Sequence, residues 1–424
     1  MPLRHSGGGA ATTRGLALDM IRAARTISRV ELAAGLGLTS PAVTRIVRDL
    51  LVEGLVRETG RGPSTGGKPR TLLQIDPRSR YGVGVHLERN TCVITVVDLA
   101  GEPVCRTVLP GAAEVPPERM LPRLADEIHA LLAATGVDKA AVVGLGLVTY
   151  GPQDWRSGVL LTPQPNPQWL DYPVARRMAD LVQLPVLLDN DANAAAIGEY
   201  WLGTVDLTST YGCIYLGTGI GGGVVVAGEV YRGSSANAVE IGHISVDVDG
   251  APCTCGNNGC LERSAGPEAV VRQAWTTSNL ARRLGLDPKG RDPQGGDFLV
   301  DFSRITTAAS SGDPMARSLV ERSARHLGGA AVTLTNLFDL DFIVLAGPGF
   351  GSAASIYRSI IQNEVDRRWF SRRAHPVRVV TSANGSDAAA IGGAALILQR
   401  ELVRPRAGSS GDRTVRAGRM PSQS

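Results

Sequence analysis

The sequence predicts an α/β chain led by a small winged helix-turn-helix module. Three observations predict it. Two short helical patterns near the N-terminus flank the turn Gly35–Gly37. A strand, a basic glycine-rich loop and a second strand follow them. From Tyr81 to Leu398, buried strands then alternate with helices. Of the 424 residues, 43% are hydrophobic and 20% charged, which suits a globular chain of two or three domains. No apolar run reaches the length that crosses a bilayer. The start MPLRHSGGGAATTRG lacks the apolar core of a signal peptide, so a cytoplasmic location is expected.

Residues 1–13 are rich in Gly, Ala and Thr and are expected to be disordered. The winged module is expected over 14–76. A helical pattern begins at Leu16, with Leu18, Ile21 and Ile27 as core positions. Ser28 can cap a helix over 29–35. Thr39 or Ser40 caps a second, with Pro41 in its first turn. Val43, Ile46, Val47 and Leu50 recur at helical spacing, which leaves Ser40, Thr44, Arg45 and Arg48 to other faces. In helix-turn-helix geometry the N-terminal half of that second helix enters the major groove. An ordinary helical hairpin has the same pattern. The segment VRETGRGPSTGGKPRTLLQI (56–75) argues for a wing, with Arg61, Lys68 and Arg70 placed for phosphate or minor-groove contact.

Charge agrees. The net +4 divides into +6 over residues 1–70, +3 over 401–424 and −5 between them. A basic patch can be merely solvated, but on this module it points to double-stranded operator DNA. Paired helix-turn-helix modules read two half-sites, so a homodimer or homotetramer is expected.

Within 79–400 the elements follow one another as strands, turns and helices. YGVGVHLERNTCVITVVDLAGEPV (81–104) reads as two strands with turns at Glu88–Asn90 and Ala100–Gly101. A helix over 117–135 precedes the strand AVVGLGLVTYG (141–151). LPVLLDNDANAAAIGEYWLG (184–203) reads as strand, acidic turn and helix, and YGCIYLGTGIGGGVVVAGEVY (211–231) as a glycine-turned hairpin. A mostly helical region with a polar loop at 288–297 leads to the strand FIVLAGPGF (342–350). VRVVTSANGSDAAAIGGAALIL (377–398) is a strand entering a helix of small residues. Residues 401–424 read as a disordered basic tail without core positions.

His243, Cys253, Cys255 and Cys260 supply three thiolates and one imidazole, a full tetrahedral set for one zinc ion per chain. Gly256 and Gly259 let the loop fold back so that the sulfurs converge. Four protein ligands leave no open position, so the zinc is structural. A disulfide is the alternative, but three cysteines cannot all pair. Cys92, Cys105 and Cys213 lie in apolar strands and read as reduced core residues. In LGTGIGGG (216–223), main-chain N–H groups around Gly217, Thr218, Gly219, Gly221 and Gly222 can converge on an anion, although such a hairpin is as often merely a turn. DNDAN (189–193) can equally be a polar turn capping the helix that follows.

LGTGIGGG, DNDAN, Glu240-Ile-Gly-His243 and the Cys-x-Cys-Gly-x-x-Gly-Cys-x-Glu run ending at Glu262 together resemble the ROK family of repressors and sugar kinases. The N-terminal module resembles its regulator branch, which includes the N-acetylglucosamine and xylose repressors. The resemblance implies an actin-like, hexokinase-like pair of α/β lobes around a cleft. It implies sugar contacts at Asn166, Asn190, Asp191, Glu240, His243 and Glu262, with Trp169 near Asn166. Because each sugar hydroxyl both donates and accepts, carboxylates and amides suit it. Asp191 matches the acid that serves family kinases as general base. His243 then belongs to both the zinc set and the sugar wall.

Two departures from the family pattern stand out. Its first phosphate loop, Asp-Ile-Gly-Gly-Thr-Lys, is replaced here by His86, Leu87, Glu88, Arg89, Asn90 and Thr91. Glu88 then repels triphosphate where the family has a glycine. Val239 replaces the glycine usually found before Glu240. The expected function is therefore a transcriptional regulator, most simply a repressor of carbohydrate genes, with a catalytically inactive kinase-like sensor and a sugar or sugar-phosphate effector. The alternatives are an active ATP-dependent sugar kinase carrying a DNA-binding module, and a regulator that senses a protein partner.

Overall fold

The computed structural model describes residues 13–61, 70–163, 165–202, 209–277, 279–286 and 298–403. The first unit runs α1 (Thr13–Ala24), β1 (Ile27–Ser28), α2 (Arg29–Leu36), α3 (Ser40–Val52), β2 (Val56–Arg61) and β3 (Thr71–Ile75). Its antiparallel sheet has the order β1-β3-β2. Ser28 and Glu31 make a reciprocal cap on α2. Glu31 N donates to Ser28 Oγ at 3.3 Å, and Ser28 N donates to Glu31 Oε2 at 2.8 Å. Gly37, at φ 64°, ends α2, and Pro41 opens α3. Val43, Val47 and Leu50 are buried along α3, with Ile46 half-buried. Ile27 is a core residue on a strand rather than on the preceding helix. Arg25, at φ 57°, turns the chain after α1, and Ile27 pairs with Leu73.

The first lobe holds β4 (Tyr81–Leu87), β5 (Thr91–Asp98), β6 (Pro103–Pro110), α4 (Pro117–Thr135), β7 (Val142–Thr149), the small pair β8 (Gln153–Asp154) and β9 (Val159–Leu160), α5 (Val174–Val182), β10 (Val186–Asn190) and α6 (Asp191–Trp201). The second holds β11 (Thr210–Leu216), β12 (Ile220–Val226) and β13 (Glu229–Val230), then α7 (Leu261–Ala265), α8 (Pro267–Thr276), α9 (Leu280–Leu284), α10 (Phe298–Ser310) and α11 (Pro314–Phe338). It closes with β14 (Phe342–Ala346), α12 (Ala354–Arg368), β15 (Arg378–Thr381) and α13 (Ala388–Leu402).

The two large sheets, β10-β7-β4-β5-β6 and β13-β12-β11-β14-β15, repeat one plan. In each, three strands form an antiparallel meander. Two later strands then add in parallel on the far side of the first. Each plan ends in a helix, α6 or α13. This duplication is the two-lobed, actin-like architecture that the resemblance implies.

Helices α6 and α13 pack against each other between the sheets, and small residues make that possible. A Cβ on Gly392 would stand 1.7 Å from the carbonyl oxygen of Ala194. Backbone meets backbone there, so alanine does not fit. One buried cluster joins these helices to Leu18, Ile21, Val47 and Leu73 of the N-terminal module.

Two expected boundaries move. Thr13 already belongs to α1, while 1–12 lie outside the described residues. The tail expected from 401 starts later. Glu401 and Leu402 complete α13, and Val403 is 4% exposed, packed so close to Gly15 that a Cβ there would meet its carbonyl oxygen at 2.0 Å. Residues 404–424 and the loop 288–297 lie outside the described residues. Among the described residues no helix is long and apolar enough to cross a membrane.

Candidate functional site

Strand β10 runs directly into α6 with no intervening turn. Asn190 is the N-cap, its Oδ1 accepting from Ala192 N at 2.8 Å and Asn193 N at 3.3 Å. This places Asp191 on the first turn, 5% exposed, with Oδ1 accepting from Ala192 N at 2.8 Å. The glycine hairpin between β11 and β12 approaches it. A Cβ on Gly221 would lie 3.7 Å from Asp191 Oδ1. On its other side the hairpin meets Glu262, whose Oε2 accepts from Ile220 N at 2.9 Å. Glu262 comes so near that a Cβ on Gly219 would stand 2.2 Å from Oε2.

Glu240, His243 and Glu262 are half-buried around this hairpin. Burial raises the Glu240 carboxyl above its ordinary range. The His243 side chain opposes this, while Asp191 and Glu262 add to it. Burial likewise raises Glu262 against the Ile220 N–H. Asp191, Glu240, His243 and Glu262 therefore form one electrostatically linked group. Val239 enters it at φ 67°, with its carbonyl accepting from Ile241 N at 2.7 Å. A β-branched residue in the left-handed region is strained by about 1–3 kcal/mol, as happens at ligand clamps.

Asn166 is arranged differently. Its Nδ2 donates to Ala112 O at 2.8 Å and Val115 O at 3.1 Å, and its Oδ1 accepts from Gln168 N at 3.0 Å. Both amide hydrogens are committed to the segment between β6 and α4. Trp169 is buried beside it and donates to Val115 O at 3.0 Å.

His86 is 3% exposed at the end of β4, with Glu88, 5% exposed, just beyond it. Burial pulls the His86 imidazole down, but the Glu88 and Asp191 carboxylates outweigh it and hold it above its ordinary value. Glu88 Oε1 packs against the glycine loop, 3.3 Å from where a Cβ on Gly217 would lie. The space beside that loop therefore holds a carboxylate.

The cysteine loop converges as its composition suggests. His243 Nδ1 stands 3.6 Å from Cys253 Sγ, and Cys255 Sγ 3.6 Å from Cys260 Sγ. All four ligand atoms lie within 4.8 Å of one another. Tetrahedral zinc, with bonds of about 2.0–2.3 Å, spaces its ligands by about 3.4–3.8 Å, so the donor set and its spacing fit the ion. Gly259, at φ 59°, permits the fold-back, since a Cβ there would strike Asp247 O at 1.6 Å. Burial and the neighbouring thiols push Cys260 up to about 12, and a bound zinc would stand in for its proton.

On α3, Ser40, Thr44, Arg45 and Arg48 are all exposed, with Ser40, Thr44 and Arg48 along one face at four-residue spacing. Thr44 Oγ1 donates to Ser40 O at 2.9 Å. Arg61 ends β2 and Arg70 is exposed before β3, while Lys68 lies outside the described residues.

Several contacts went unforeseen. Arg22 of α1 is 7% exposed and donates to the carbonyls of Tyr200 and Trp201, its guanidinium 4.6 Å from the Trp201 ring. Arg232 pairs with buried Asp189 at 2.6 Å, and Asn237 Oδ1 accepts from Gln153 N at 2.7 Å, tying the loop after β13 to the first lobe. Sequence spacing carries no signal for pairs this far apart.

Comparison with known proteins gives a consistent result. The model of the ROK family matches residues 82–400. The xylose repressor of Caldicellulosiruptor bescii is 26% identical over 394 residues, covering 92% of this chain and 96% of its own. The glucokinase of Halalkalibacterium halodurans is 32% identical over 325 residues, covering 76% of this chain and 96% of its own. A solved ROK family transcriptional regulator, a homologue of the E. coli MLC protein, superposes with a TM-score of 0.69 at 25% identity, covering 91% of this chain and 95% of its own.

Proposed function

The chain belongs to the ROK family, and we propose that it is a transcriptional regulator that binds operator DNA through its N-terminal module and a sugar in its cleft. Helix α6 carries this reading. Its first residue, Asp191, sits in the acidic group, and its last turn, Tyr200 and Trp201, grips α1 of the module about 16 Å away. A ligand alters a distant affinity only by favouring one arrangement of an element that both sites share. Helix α6 is such an element. The repressor match extends over the module, whereas the glucokinase match covers the smaller share expected of the two-lobed domain alone.

In this reading Asn166, Asn190, Asp191, Glu240, His243 and Glu262 hold hydroxyls of a sugar or sugar phosphate. Asn166 offers only its remaining oxygen lone pair. One zinc held by His243, Cys253, Cys255 and Cys260 fixes the sugar wall, because His243 Nδ1 faces Cys253 while the same side chain neighbours Glu240 and Glu262. Arg45 and Arg48 supply much of the DNA affinity, Ser40 and Thr44 lie near base edges, and Arg61, Lys68 and Arg70 reach the backbone from the wing. Two copies read two half-sites.

Phosphoryl transfer is absent from this proposal. That chemistry depends on positioning the phosphates and neutralising their charge. Glu88 puts a buried carboxylate against Gly217, where a phosphate would need donors. Asp191 is thus kept as a sugar contact. The test is a thermal-shift panel of free and phosphorylated sugars. At least one should raise the melting temperature of the wild type and leave Asp191→Asn unmoved. A panel with no shift, or a shift equal in both proteins, contradicts the assignment.

A further inference from the structure

His86, Glu88 and Asp191 converge from β4, the turn after it and the start of α6. All three are at least 95% buried, and their ligand atoms lie within 4.8 Å of one another. His86 Nε2 points between the two carboxylates, 3.7 Å from Glu88 Oε1 and 3.9 Å from Asp191 Oδ2. Both distances exceed a hydrogen bond, and Nε2 makes none among the described residues. The three groups are spaced around a common point, at ion-pair distances.

We propose that this triad is a second divalent-cation site, separate from the thiolate knot and suited to manganese or zinc. Two carboxylates and one imidazole are the donor set that such ions accept. A cation between them would cancel two buried negative charges, which are otherwise costly to hold out of water. Bonds of about 2.0–2.2 Å space neighbouring donor atoms by about 3.0–3.6 Å, so the three groups would close inward on binding.

The surroundings are built for it. Each carboxylate has one oxygen held by a neighbour and turns the other toward His86. Glu88 Oε2 accepts from Thr91 Oγ1 at 3.2 Å, and Asp191 Oδ1 from Ala192 N at 2.8 Å. Outer-shell bonds of this kind orient ligands toward a metal. The Tyr215 ring stands edge-on to His86 at 6.1 Å, its buried hydroxyl without a partner among the described residues. Three protein ligands leave coordination positions for water or for a hydroxyl in the cleft. The site rests on the proposed function only in sharing Asp191.

The experiment titrates full-length protein, its thiolate zinc retained, with Mn²⁺ and reads free Mn²⁺ by electron paramagnetic resonance. The soft thiolates of the knot do not select Mn²⁺, so this probe reports on the triad. One saturable Mn²⁺ per chain is expected. His86→Gln and the isosteric Glu88→Gln should each weaken binding about tenfold or more while zinc content and circular dichroism stay unchanged. If His86→Gln fails to fold, Glu88→Gln carries the test alone. No saturable Mn²⁺ binding, or undiminished affinity in folded Glu88→Gln, overturns the site. Sugar shifts measured on the same samples without Mn²⁺ separate this outcome from failure of the sensor reading.

Discussion

Tyr200, on the last turn of α6, donates its phenolic O–H to the carboxylate of Asp19 on α1, and Arg22 holds that same carboxylate at 2.6 Å. The N-terminal module is thereby latched to the helix that begins at Asp191. Tyr200→Phe removes a bond to a charged group, worth about 1.5–3 kcal/mol. The variant should keep its sugar-induced thermal shift but lose most of the change in DNA affinity that sugar produces. Titrating labelled operator with and without sugar checks this, and full coupling in the variant would show that the latch carries nothing.

The His243 and cysteine cluster gives the second expectation. Cys255→Ala should lose the metal, lower the melting temperature by several degrees and weaken sugar binding, because His243 then loses its anchor. Metal analysis of protein purified without chelator should find one zinc per wild-type chain and none in the variant. A zinc-free variant that binds sugar normally would break the coupling but leave the knot intact.

Arg45 and Arg48 are exposed on the helix that faces DNA in this account. Arg45→Ala should cost about 1–3 kcal/mol of operator affinity if it reads a base. Arg48→Ala, if it meets phosphate, should weaken all sequences alike and lower the salt slope by about 0.9. Neither should alter a sugar-induced thermal shift. Unchanged operator binding in both would move the interface off α3.

With ATP, magnesium and the sugar that gives the largest thermal shift, purified protein should show no turnover. Asp191→Asn should lose its response to sugar yet bind DNA normally in the absence of sugar. Sustained ADP release by the wild type, abolished in Asp191→Asn, would make this chain a kinase.

Much of this was legible because local chemistry is local in sequence. Ser28 and Glu31 form their cap within four residues, and the strand into α6 was visible in LPVLLDNDAN. The thiolate knot was legible because its three cysteines fall within eight residues, with the glycine that folds them at Gly259. The latch was not. Arg22 looks like one more cation for DNA, and only the fold shows it on Trp201, 179 positions away. Val403 reads as part of a polar tail because its partner, Gly15, is at the other end of the chain. His86 and Glu88 were legible as losses from a phosphate loop. Their convergence with Asp191 depends on how β4 and α6 meet, which no spacing encodes.

Sugar bound beside Asp191 should change the grip on DNA. The most direct measurement is the equilibrium affinity of purified full-length protein for an operator it selects from genomic fragments, with and without the sugar that stabilises it most. Coupling between sites is typically 1–3 kcal/mol, so a change of about tenfold is expected, abolished by Asp191→Asn. Equal affinity at saturating sugar would contradict the account.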